Sequence, residues 1–132
     1  MKLYVCHEIR GTDGELASEA KQRGNIQHAC EIASVLRRVF SGVEWVVPHE
    51  NDIVNELYFR GMVKGDDIVT IECDLIANKY DGIVVIGYIH TGTGVAREIR
   101  TAHDNDKFIC FLDDVEEASR QHLANELARW EE

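Results

Sequence analysis

The feature that most constrains this chain is an alternation of two hydrophobic periods. Short, continuously apolar runs recur between longer segments whose apolar residues return every three or four positions. A run of the first kind suits a buried strand, and a segment of the second kind suits an amphipathic helix. Strands are expected over residues 2–7, 43–47, 82–87 and 107–112, the second stopped by Pro48. The third is apolar at every interior position, so both of its faces are expected to be covered. A first helix is marked by Ile26, Ala29, Cys30, Ala33, Leu36 and Phe40, with Gly42 placed to end it. A second is marked by Ile68, Ile71, Leu75, Ile76 and Tyr80, with Asp66 or Asp67 near its start. A third covers 93–106, with Val95, Ile99, Ala102 and His103 along one side. A closing helix carries Val115, Ala118, His122, Leu123, Leu127 and Trp130. The polar stretch 49–65 reads as a long loop with one or two helical turns.

The order β-α-β-α-β-α-β-α implies a parallel sheet with helices on both faces. The expected fold is a three-layer α/β/α sandwich of Rossmann or flavodoxin-like type, with four to five strands. Its 132 residues suffice for one domain, 1–132, with a sizeable core. Ligands in such sheets bind at the carboxyl ends of the strands, near a topological switch point. That selects three loops: Glu8 to Gly14, the segment after Pro48, and Tyr88 to Gly94.

Charge narrows the partners. Lys plus Arg number 14 against 24 Asp plus Glu, a net −10, which disfavours nucleic-acid polymers and anionic membranes. No run approaches a membrane span, and the apolar N-terminal stretch is too short for a signal peptide. The four cysteines, Cys6, Cys30, Cys73 and Cys110, form no CxxC pair and suit reduced thiols in a cytoplasmic protein. The six histidines show no zinc spacing, and neither a GxSxG elbow nor a Walker A loop occurs, so no metal or cofactor is expected.

The most informative stretch runs from Gly87 to Glu98. A strand ends, a Gly92-Thr93-Gly94 turn follows, and a helix starts, a geometry suited to an anion such as phosphate or simply to a tight turn. Glu98 falls near the start of that helix, where the dipole favours its ionised form; it reads as a nucleophile or as an exposed first-turn residue. Arg97 and Arg100 flank it, either facing a phosphate or solvated and paired with Asp104. Asp74 interrupts an apolar stretch, either as a semi-buried carboxylate or as an edge-of-stripe surface residue.

Thr91-Gly92-Thr93-Gly94-Val95-Ala96-Arg97-Glu98-Ile99, with Ala102 and the strand Lys107 to Leu112, resembles the signature of the nucleoside 2-deoxyribosyltransferase superfamily. The closest likeness is to the branch of 2′-deoxynucleoside 5′-monophosphate N-glycosidases, whose Ser-Ile-Arg-Gly loop is similar to Ile9-Arg10-Gly11. The resemblance implies that Glu98 attacks the anomeric carbon and displaces the base, with Asp74 as the second carboxylate. It further implies that Ile9, Arg10, Gly11, Gly92, Thr93 and Gly94 hold the 5′-phosphate of a small nucleotide. It also implies a homodimer, with the second helix as a candidate surface. Three positions depart from the pattern: Arg100 replaces a glycine, Gly92 replaces a serine, and the C-terminus has no transferase-like asparagine. The last favours hydrolysis over base exchange. The first favours a third possibility, a non-catalytic nucleotide-binding protein.

Overall fold

The computed structural model of the chain describes residues 1–8, 16–87 and 94–131. Four strands, β1 (Lys2–His7), β2 (Glu44–Val46), β3 (Gly82–Ile86) and β4 (Phe108–Leu112), form one all-parallel sheet in the order β2-β1-β3-β4. The helices are α1 (Glu19–Val39), α2 (Asp52–Phe59), α3 (Gly65–Asn78), α4 (Gly94–Asp104) and α5 (Glu117–Trp130), with a 3-10 turn, Pro48–Glu50, before α2. The result is a three-layer α/β/α sandwich of Rossmann or flavodoxin-like type.

Alternation along the strands splits the core in two. Leu3 and Val5 of β1, Val84 and Ile86 of β3, and Phe108, Cys110 and Leu112 of β4 face α1 and α5, meeting Ile32, Ala33, Leu36 and Leu123. Tyr4 and Cys6, with Ile83 and Val85, face α3 and α4, meeting Ile76, Val95 and Ala102. Every residue of β3 is buried, as a central parallel strand requires. Leu36 is fully enclosed, and Leu36→Ala would cost about 2–5 kcal/mol. At the sheet edges, Trp45 of β2 donates its indole N–H to the Phe40 carbonyl at 3.2 Å. Trp130 of α5 packs edge-on to Phe108 of β4, with 5.7 Å between ring centres.

Several elements differ from the periodic expectation. Helix α1 starts well before Ile26: the Ser18 hydroxyl accepts the Lys21 N–H at 3.1 Å, and Arg23 pairs with Glu19. Those first turns are solvated, so they carry no apolar period. Phe40 ends the helix, its N–H bonded to the Leu36 carbonyl, and Gly42 is not in the left-handed conformation. The segment 49–65 does contain the expected helical turns, as the two-turn helix α2, none of whose residues is fully buried. Helix α3 buries only Ile76, and Ile71, expected inward, is 59% exposed. On α4 the inward residues are Val95, Glu98 and Ala102, whereas His103 lies at the surface. On α5, Val115 precedes the helix and His122 is exposed. Cys6 and Cys110 are buried, Cys30 and Cys73 half-buried, and all four are free thiols.

Candidate functional site

The chain leaves β1 toward β2 on one side of the sheet and places β3 on the other, so the switch point lies between β1 and β3. The loops after those two strands hold Ile9, Arg10, Gly11, Gly92 and Thr93, which lie outside the described residues, as do Tyr88, His90 and Thr91. Described on either side of the gap are the carboxyl ends of β1 and β3 and the start of α4.

Glu98 stands at the centre of what is described. Val95, Glu98 and Ala102 recur at offsets of three and four, which puts the carboxylate on the face of α4 that meets the sheet. It is 5% exposed, the one buried charged residue among those described. The Tyr4 hydroxyl donates to it, and Cys6 Sγ lies 3.9 Å from Oε2. Burial pushes its pKa up to about 8; the Tyr4 and Cys6 hydrogen bonds and Arg97 pull it back only in part, and Glu72 adds to the rise. Glu98 lies beyond the first turn of α4, and burial works against the ionised form that the helix N-terminus was expected to favour. In turn, burial first and Glu98 second push the Tyr4 and Cys6 pKa values well up, so both remain protonated donors.

The carboxylate on the inward side of α3 is Glu72 rather than Asp74. Glu72 precedes Ile76 by four residues and so shares its inward side of α3. Its Oε2 is buried with no hydrogen-bond partner among the described residues, and desolvation raises its pKa. Asp74 is exposed and accepts a hydrogen bond from Asn78 Nδ2 at 3.1 Å. Two residues from Glu72 on a helix, it faces another way. Helix phase, anchored on Ile76, was the signal that distinguishes the two.

Gly94, expected in a phosphate cradle, has a packing role. A Cβ there would come within 2.6 Å of Val69 Cγ2, so its lack of a side chain lets α4 start hard against α3. Arg97 is partly exposed and reaches the Thr70 hydroxyl at 3.2 Å and Asp66 at 3.9 Å, rather than Asp104. Arg100 is exposed.

On the other face of β1, sequence reasoning missed a histidine cluster. The His7 and His28 rings meet edge to face at 5.4 Å, and the His49 side chain hydrogen-bonds to the His7 backbone. Burial lowers the His7 pKa to about 4, helped by His28 and His49, and burial lowers His49 to about 4 as well. Both are neutral imidazoles at neutral pH. Beside them a cleft of about 480 Å³ opens between α1 and α2, lined by Arg23, Gln27, Cys30, His49, Asn55 and Phe59, among others. This cleft does not include Glu98; the chemistry is assigned to the Glu98 side because the one buried carboxylate among the described residues is there, with the half-buried Glu72 raising its pKa. Among the described residues, no group of three or more His, Cys, Asp and Glu is arranged to hold a metal ion. Among the same residues, no helix is long and apolar enough to cross a membrane. No family model, curated protein or solved structure matches this chain.

Proposed function

We propose that the protein hydrolyses the bond between base and sugar in a (deoxy)nucleoside 5′-monophosphate, with Glu98 as nucleophile. The observation that carries this reading is the placement of Glu98: a buried carboxylate, held by Tyr4 and Cys6, beside the β1–β3 switch point. The motif that precedes it supplies the substrate class by resemblance.

In the proposed reaction, ionised Glu98 forms an ester at C1′ while the C1′–N bond breaks and its electron pair passes to the base. The transition state is oxocarbenium-like, and the carboxylate both stabilises and captures it. Glu72, whose raised pKa favours the protonated form, gives its proton to the leaving base. A water molecule then attacks C1′, Glu72 takes its proton, and Glu98 is freed as a carboxylate. Tyr4 holds the Glu98 carboxylate in orientation throughout. The phosphate contacts belong to the loops after β1 and β3.

Incubation with a panel of nucleotides, followed by chromatography for free base, tests this reading. Glu98→Gln should lower base release by several orders of magnitude, and Glu72→Gln by about 10²–10⁴-fold. The wild-type rate should climb as pH rises toward about 8, where Glu98 ionises. Absence of base release at any pH sinks the proposal. Formation of a new nucleotide when a second base is added would assign base exchange instead. The same raised pKa also favours a second reading, nucleotide binding without turnover, which calorimetry would reveal as saturable binding and no product.

A further inference from the structure

We propose that the outer edge of β4 pairs antiparallel with the same edge of a second copy of this chain, about a two-fold axis at Cys110. The sheet ends at β4, and among the described residues no strand lies beyond it. The Phe108 N–H and the Leu112 carbonyl are taken up by Asp81 and Gly87 on the β3 side. By alternation, the backbone groups of Ile109 and Phe111 point to the open edge. Among the described residues, no backbone hydrogen bond outside the sheet reaches either one.

An exposed strand edge of this kind is a template for another strand unless something blunts it. Here Phe111 is 52% exposed, and no charge or proline interrupts Phe108–Leu112. The charges stand at the two ends, Lys107 before the strand and Asp113 after it. Antiparallel self-pairing centred on Cys110 sets Ile109 opposite the Phe111 of the other copy, twice, as hydrogen-bonded pairs. In the same register Lys107 meets the other copy's Asp113, also twice. All four residues lie on one face of the sheet. Sliding the register by one pair in either direction loses both charge pairs and one of the two strand ends. Charge complementarity therefore selects a second copy as the occupant and fixes the register. The contact is short, so the dimer is reversible and concentration-dependent. This surface differs from the α3 face that the family resemblance implies.

Sedimentation velocity on the full chain over a wide concentration range tests the proposal. Wild type should move reversibly from its 15.0 kDa mass to twice that value. Lys107→Asp or Asp113→Lys alone should weaken association about tenfold, through two like-charge pairs per dimer. The double exchange, Lys107→Asp with Asp113→Lys, should restore it. Circular dichroism verifies that each variant is folded; both sites lie at strand ends rather than in the core. Phe111→Lys gives an independent loss. A chain that stays monomeric at every concentration overturns the proposal. So does a dimer insensitive to the single reversals, which would lie on another face, or a double exchange no better than either single change.

Discussion

Glu98 offers a direct handle on this protein through its proton. Its folded-state pKa of about 8 exceeds the ordinary 4.5. Between those values the folded chain keeps a proton that the unfolded chain has released. The stability tied to that proton is fully present below about pH 4.5 and is lost as pH rises toward 8. Glu98→Gln keeps the shape and stays neutral. It should therefore melt well above wild type at pH 8, by on the order of a few kcal/mol, and close to wild type at pH 5. Equal shifts at both pH values in thermal denaturation would contradict this. The gain in stability accompanies the expected loss of activity, the usual conflict at a strained or desolvated site. The helix that carries Glu98 was legible in the sequence, but the burial of its carboxylate was not. A charged residue is discounted when an apolar stripe is traced, so His103 was drawn into a face that Glu98 occupies. Asp74 was likewise preferred to Glu72 for its apolar neighbours Leu75 and Ile76, although helix phase sends it to solvent.

At the scale of elements, the ends of α4 make two opposite predictions. Its C-terminus closes with the Lys107 N–H on the Ala102 carbonyl and the Asp106 N–H on that of His103. Asp106 carries φ 54°, the left-handed conformation in which glycine is usual. Asp106→Gly should leave the fold intact and raise stability by about 0.5–1 kcal/mol, read from the urea midpoint. At its N-terminus, Gly94→Ala drives a Cβ into Val69 and should cost about 1–3 kcal/mol; Gly94→Ala with Val69→Ala should recover part of that loss. The strands and the order of elements were readable because each strand is short, apolar and bounded. Helix α2 was legible only as one or two helical turns within a polar segment, since it is short and none of its eight residues is fully buried. It is held instead by polar contacts: Tyr58 Oη to Gln22 at 2.7 Å, Arg23 to Glu56 at 2.9 Å, and Asn55 Nδ2 to the His49 carbonyl at 2.8 Å.

For the whole molecule, the two faces of β1 set opposite pH limits. His7 and His49 have folded pKa values of about 4 against an ordinary 6.5. Their contribution is present above pH 6.5 and is lost as pH falls toward 4. The Glu98 contribution falls in the other direction, from 4.5 up to about 8. Two groups on the acid side outweigh one on the alkaline side below the histidine limit, so stability should peak at about pH 6.5. Urea midpoints across this range would trace the peak. Replacing His7 and His49 with Asn should flatten the acid limb and leave the alkaline limb in place; an unchanged acid limb would show that the cluster does not set it. The two tryptophans make such measurements spatially resolved. Trp45 is enclosed at the β2 edge, and Trp130 lies half open beside β4. They are the only indoles in the chain. An aqueous quencher should dim the Trp130 emission and spare that of Trp45, so a single-tryptophan variant of each kind turns the protein into a separate optical gauge of either border of its sheet.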